Sequence, residues 1–307
     1  MTTRHIIFIP GTNPKPRAEE HRALLWRTLL EGVRRVDAET AQHLQAHPAQ
    51  FHLVSWNNLF YHEQKDIGMD QPWVEALLSK PKPSEQDILD ANGLGNKMRQ
   101  AVVRVVDRVP FLLRFLSKPT HKILLDIERY FNDTEQVASQ IRNLLKQVLL
   151  PLLEKNEPVL IIGHSMGSVI AYDTLWEMSQ KNIAGQQDGL SKLDFLTLGS
   201  PLGMRIIQKK LLGRQGIGKI SFPSNIRRWN NVAAEGDIVA LNGNFKHSFK
   251  EMLNREMVET IEDYDHGVYN FFRNEVGLNS HRSYGYLVNP VVGRLIAAWW
   301  RASTNKN

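Results

Sequence analysis

The chain has 307 residues, 42% of them apolar and 23% charged, an ordinary balance for a globular protein large enough to bury a core without a disulfide or metal staple. It contains no cysteine, which excludes disulfides, thiolate zinc sites and cysteine nucleophiles. The net charge of +6 raises nucleic-acid binding as a class, but no nucleic-acid-binding fold motif accompanies it, so nucleic acid is not an expected partner.

Residues 5–9 form a short apolar run that ends in Pro10-Gly11-Thr12-Asn13-Pro14, which predicts a buried strand meeting a turn. The run is too short for a signal-peptide core, and no stretch approaches the roughly 18 apolar residues of a membrane span. A cytoplasmic, soluble protein is the expectation, with peripheral contact to an anionic membrane left open. Residues 18–36 carry Leu24, Leu25, Leu29, Leu30 and Val33 at helical spacing, and residues 51–56 read as a second strand. From about 58 to 131 the pattern is less regular. It holds Pro81 and Pro83, a helix through Asp87, and an apolar, basic stretch over 98–116 that Pro110 should divide into two short helices.

Asp133 and Gln136 have capping-box spacing at the start of a helix whose apolar face is Val137, Ile141, Leu144, Leu145, Val148, Leu149 and Leu152. Asn156-Glu157-Pro158 stops it. Residues 159–162 are a continuous apolar strand of the kind buried in parallel sheets. A helix follows over 168–178. Further strands are expected at 195–198, running into Gly199-Ser200-Pro201, then at 227–232 and 257–261, before a closing helix over 291–300. This alternation predicts an α/β fold, with a mostly parallel sheet and helices on both faces. The length admits one large domain or two average ones; the pattern favours one domain, 1–307, with a helical cap or lid inserted at about 58–131.

Gly163-His164-Ser165-Met166-Gly167 fits a Gly-x-Ser-x-Gly nucleophile elbow, in the strand–turn–helix context that the motif requires. Such a turn holds the serine in a strained conformation, so its neighbours two residues away must lack side chains for strand and helix to pass closely. A serine hydroxyl is a weak nucleophile at neutral pH and needs a base, and the base an orienting acid. After the strand at 227–232, Asp237 is the candidate acid, with Glu235 as its rival; Asp194 lies before its strand and Asp173 within a helix. His281 is the candidate base, in the loop before the closing helix, with His266 as its rival and His247 earlier. The oxyanion donors expected are the N–H groups of Met166 and, in the loop after the first strand, Thr12 or Asn13, with Thr12 preferred.

The run 163–173 resembles the elbow and following helix of α/β-hydrolases. It is especially similar to those of DDHD-type intracellular phospholipases and of lipase-like hydrolases related to GPI inositol-deacylases. Gly199-Ser200-Pro201-Leu202 resembles the strand end after the elbow in such lipases. Gly236-Asp237-Ile238-Val239 is similar to their Asp-Pro-Val acid turn, with Ile238 in place of proline. Ser280-His281 with Tyr284 resembles their histidine loop, whereas Asp263-Tyr264-Asp265-His266 is only a loose echo of the DDHD signature. The resemblance covers about 5–60 and 135–302, and it implies an α/β-hydrolase fold and hydrolysis of a small-molecule or lipid ester, without saying which.

Two other motifs fail. Gly213-Arg214-Gln215-Gly216-Ile217-Gly218-Lys219-Ile220 lacks the hydroxyl that a phosphate-binding Walker loop needs at its last position, and His62-Glu63 lacks a second histidine at helical spacing. No metal or organic cofactor is implied. The same triad would serve a thioesterase or a peptidase, and a different class, an idle lipid-binding scaffold, would retain the fold without activating the serine. The basic excess sits in Lys97, Arg99, Arg104, Arg108, Arg114, Lys118 and Lys122, and again in Arg205, Lys209, Lys210, Arg214, Lys219, Arg227 and Arg228. These are solvated faces or a docking surface for anionic lipid or an acidic substrate. Arg104, Arg108 and Arg114 beside an apolar face describe either a buried cap helix or an interfacial one.

Overall fold

The structure, a computed structural model, describes residues 3–108, 118–183, 191–214, 221–240 and 243–302, with side chains except at 104–106, 108, 118–124, 134 and 181–183. The chain begins with β1 (His5–Ile9), α1 (Ala18–Arg34), α2 (Ala38–Gln45) and β2 (Phe51–Leu53). Five helices follow: α3 (Asn57–Tyr61), α4 (Gln71–Ser79), α5 (Glu85–Asn92), α6 (Leu94–Arg108) and α7 (Lys118–Phe131). Then come α8 (Val137–Glu154), β3 (Val159–His164), α9 (Met166–Ile183), β4 (Leu193–Leu198), α10 (Arg205–Gln208) and β5 (Ile226–Val232). The chain closes through α11 (Phe245–Ser248), α12 (Lys250–Asn254), β6 (Thr260–Tyr264), a small hairpin of β7 (Arg273–Asn274) and β8 (Gly277–Leu278), α13 (Ser283–Leu287) and α14 (Pro290–Arg301).

β1 to β6 make one sheet in the order β2-β1-β3-β4-β5-β6, and all five pairings are parallel. Strands buried on both faces need apolar residues at every position rather than alternate ones, which is why β1 and β3 read as unbroken apolar runs. Successive side chains take opposite faces. Ile7, Ile9, Ile161, Phe195 and Trp229 meet Ile141, Leu145 and Leu149 of α8 and Val169 and Ile170 of α9. On the other face Ile6, Phe8, Leu160, Ile162 and Leu196 meet Leu25, Leu29 and Val33 of α1 and Val292 and Ile296 of α14. Each such side chain contributes roughly 1.5–3 kcal/mol on burial, so the two layers clamp the sheet rigidly. This is an α/β architecture of the α/β-hydrolase type.

The order places the site. The chain leaves β1 for β2 on one side and returns to β3 on the other, so the crevice of this switch point opens between the carboxyl ends of β1 and β3. Register aligns those ends: Ile9 lies opposite Gly163, His164 opposite Leu198, Leu198 opposite Val232, and Val232 opposite Tyr264. The loops that begin at Pro10, Ser165, Gly199 and Ala233 therefore emerge side by side.

Two details differ from the sequence expectations. The capping box at Asp133 and Gln136 does not form: Gln136 is left-handed (φ 60°), and Asp133 instead accepts from the N–H and hydroxyl of Ser139 at 3.2 and 2.6 Å. Asp133 is itself left-handed (φ 46°), so the chain enters α8 through a tight turn and not from an extended N-cap. A capping box is present further upstream, between Ser84 and Asp87 at the start of α5. β6 starts at Thr260 rather than 257, because Met257 and Val258 are buried in the core before the chain pairs with β5. The division at Pro110 and the cation Arg114 lie outside the described residues, as do the side chains of Arg104 and Arg108 and residues 215–220 of the glycine-rich basic segment.

Candidate active site

Ser165 is the single residue between β3 and α9, and its φ is 52°. A non-glycine residue in the left-handed region costs on the order of 1–2 kcal/mol, so the surroundings must enforce it. They do. Its N–H donates to the Leu198 carbonyl at 2.9 Å, and its own carbonyl accepts from the Ser168 N–H at 3.0 Å and the Ser168 hydroxyl at 2.5 Å. The flanking glycines are required by space. A Cβ on Gly163 would lie 2.6 Å from Ser168 Cα, and one on Gly167 only 2.1 Å from the Ile9 carbonyl oxygen.

His281 Nε2 lies 2.9 Å from Ser165 Oγ, and its Nδ1 lies 2.8 Å from Asp237 Oδ2. A carboxylate can only accept here, so Nδ1 carries the hydrogen and Nε2 presents its lone pair to the serine. Asp237 is withdrawn from solvent and held from several sides. Its Oδ1 accepts from the Val239 N–H at 2.9 Å, and its Oδ2 also accepts from the Tyr286 hydroxyl at 2.6 Å. Gly199, with φ 55°, leaves room for this pair, since a Cβ there would lie 2.8 Å from Asp237 Oδ2 and 3.1 Å from His281 Nδ1. Buried His164 donates from Nε2 to the His281 carbonyl at 2.7 Å; burial first, then neighbouring His281, hold its pKa well below the usual imidazole range.

The loop after β1 presses against the serine: a Cβ on Gly11 would lie 3.3 Å from Ser165 Oγ. Its carbonyls are pinned by side chains. Trp56 donates to Pro10 at 2.8 Å, Asn57 to Gly11 and Asn13 at 2.9 Å each, and Lys15 to Thr12 at 2.6 Å. The peptide unit is planar and trans, so fixing the Gly11 carbonyl onto Asn57 turns the Thr12 N–H the opposite way. No acceptor among the described residues takes the Thr12 or Met166 N–H, whereas the Asn13 N–H is occupied by the Tyr61 hydroxyl at 2.9 Å.

The structure thus brings Ser165, His281, Asp237 and Thr12 to the carboxyl ends of the strands, where they line a cavity of about 400 Å³, with Met166 buried behind Ser165 at the start of α9. It does not bring the rival carboxylates or His266 there. His266 has a 95% exposed side chain beside Asp265, Glu235 accepts from the Gly267 N–H, and Asp194 binds Arg227 and Arg228 near the start of its strand. Asp173 is buried in α9, where it accepts from the Leu212 N–H and the Tyr130 hydroxyl. Sequence reading missed Trp56, Asn57, Lys15 and Tyr286, which hold the loop and the acid. Trp56, Asn57 and Tyr286 had no local signal, because each acts across a long separation in the chain, whereas Lys15 acts on Thr12 only three residues away.

Tyr286 carries a prediction. Its hydroxyl spans the Ala234 N–H at 2.9 Å and Asp237, and Tyr286→Phe leaves both short of a partner. We expect turnover to fall on the order of ten-fold, and stability by about 1–3 kcal/mol. Turnover equal to wild type in a folded but less stable variant would reduce Tyr286 to a packing residue.

The sheet order, the strained serine between β3 and α9, and the acid and histidine on the loops after β5 and β6 together describe an α/β-hydrolase architecture. No family model matches the chain. A Saccharomyces cerevisiae protein named a probable mitochondrial phospholipase is 31% identical to it over 120 residues. The match covers 38% of this chain and 16% of the yeast protein. Among the described residues, no helix is long and apolar enough to cross a membrane.

Proposed function

We propose that the chain is a serine-dependent carboxylic-ester hydrolase. The observation that carries this reading is the position of His281, within hydrogen-bonding distance of Ser165 at one ring nitrogen and of Asp237 at the other. His281 takes the Ser165 proton as the oxygen attacks the acyl carbonyl, and the Thr12 and Met166 N–H groups receive the developing oxyanion. His281 then protonates the leaving alcohol, giving an acyl-enzyme. Water, deprotonated by the same imidazole, releases the acid and restores the serine. Asp237 holds the ring and stabilises its charged form.

The yeast relative's name supports a lipid ester as substrate. On this reading residues 58–131 cap the pocket within a single domain. Leu94, Met98 and Val102 stand exposed at one-turn intervals on α6 beside Lys97 and Arg99, a surface suited to an anionic membrane. A cytoplasmic location, with peripheral attachment, belongs to the same proposal. A fluorophosphonate probe together with p-nitrophenyl esters of increasing acyl length tests it. Labelling at Ser165 and ester turnover are expected, whereas a protein that neither labels nor turns over any ester is a scaffold with an idle site. Cleavage of thioesters or peptides in preference to oxygen esters would reassign the substrate.

A further inference from the structure

The charge of the pocket is lopsided. Its lining includes Lys15, Arg99 and Arg282 against one carboxylate, Asp237, and that carboxylate is already committed to His281, Tyr286 and the Val239 N–H. Arg282 pairs with Asp70, but Asp70 is shared with Lys65 at 2.6 Å, and the Nε of Arg282 is buried without a hydrogen-bond partner. Lys15 donates to the Thr12 carbonyl and, among the described residues, has no carboxylate within ion-pair distance; nor does exposed Arg99. Burial first, and then Arg282 and Lys65 against the opposing charge of Asp70, bring the Lys15 ammonium down to about 7. Lys15 is half-buried, and among the described residues no carboxylate lies within ion-pair distance of it, so an entering anion would offset part of its desolvation.

We propose that Lys15 and Arg99 form an anion subsite, and that the ester cleaved at Ser165 carries a negative charge beside its scissile bond. The proposal rests on the ester-hydrolase reading and adds the charge of the substrate to it. The charge has two chemical sources, a carboxylate on the acyl side or a phosphate on the alcohol side, and matched esters separate them. One pair is p-nitrophenyl butyrate against a p-nitrophenyl ester of similar length ending in a carboxylate. The other is butyrylglycerol against butyrylglycerol phosphate.

Wild type should favour the charged member of at least one pair by roughly ten-fold or more in kcat/KM. Arg99→Gln and Lys15→Met should each shrink that ratio through the KM of the charged ester. A fall in kcat on both members with the ratio preserved would leave Lys15 as a support of the Thr12 carbonyl only, and would overturn the proposal. Equal turnover of charged and neutral esters by wild type overturns it as well, while leaving the ester-hydrolase reading intact.

The charged groups facing Lys15 are Arg282, Asp70 and Lys65, with His21 and His164 nearby. The KM of the carboxylate ester should therefore rise as pH climbs through about 7 and Lys15 loses its proton, and that of the neutral ester should not. Calorimetry on Ser165→Ala protein with butyrylglycerol phosphate and with the carboxylate ester reads the subsite without turnover. Binding of either that Arg99→Gln weakens supports the subsite even if no ester is cleaved, and absence of binding by both overturns it.

Discussion

Ser165→Ala should abolish ester turnover and fluorophosphonate labelling while leaving the fold in place. Loss of a triad nucleophile costs on the order of 10⁴-fold or more in turnover, because the hydroxyl 2.9 Å from His281 Nε2 is gone. Ser168, the nearest alternative in the sequence, is fully buried and bonded to the Ser165 carbonyl and, at 2.6 Å, to the Ser200 hydroxyl, so it cannot substitute. The fold survives because the bonds that enforce the left-handed turn are made by the backbone of residue 165 and not by its hydroxyl. The change removes one oxygen and one hydrogen bond, that to His281. Circular dichroism and a melting curve close to wild type would establish folding, and near-normal turnover by the folded variant would refute the mechanism.

Replacing His281 should cost as much as replacing the serine, while His266 should be dispensable. His281→Ala removes the base and also strips Asp237 of a partner, so a buried carboxylate is left with only Val239 and Tyr286. A stability loss of about 1–3 kcal/mol is expected to accompany the loss of turnover. His281→Gln separates the two effects: its amide can still donate to Asp237 but cannot take the serine proton at neutral pH. Turnover should fall on the order of 10⁴-fold in both variants, with stability largely kept in the glutamine one. His266→Ala should stay within two-fold of wild type, since that side chain is 95% exposed and its ion pair with Asp265 is long, at 3.7 Å. The reversed outcome, an active His281 variant and an inactive His266 variant, would leave Ser165 in place but move the base to a different loop.

The parts of this protein that were legible in the chain are those whose cause is local. β1 and β3 are apolar throughout because a strand at the centre of a parallel sheet meets helices on both faces, and that requirement is written within five or six consecutive residues. The elbow is legible for a similar reason: a left-handed serine between strand and helix has no space for side chains two residues to either side, so its glycines appear at fixed spacing. Asp237 and His281 stood out by their order after successive strands, although Glu235 and His266 satisfied much the same local description. The capping-box spacing at Asp133 was read wrongly, because the pattern does not reveal that the chain enters α8 through left-handed residues.

Tertiary structure alone decided the rest. Parallel pairing in register sets Ile9 beside Gly163 across more than a hundred intervening residues, and only then do Trp56 and Asn57 reach the carbonyls of the loop at Gly11. Only the fold sets the Tyr61 hydroxyl on the Asn13 N–H, the contact that favours Thr12 over Asn13 in the proposed reading. That Tyr286 holds Asp237, and that Lys15 and Arg99 line one cavity with no carboxylate within ion-pair distance among the described residues, likewise depends on contacts between distant segments. Short-range periodicity records which face of an element is buried. It does not record what lies against that face, and the partners of a candidate site are chosen there.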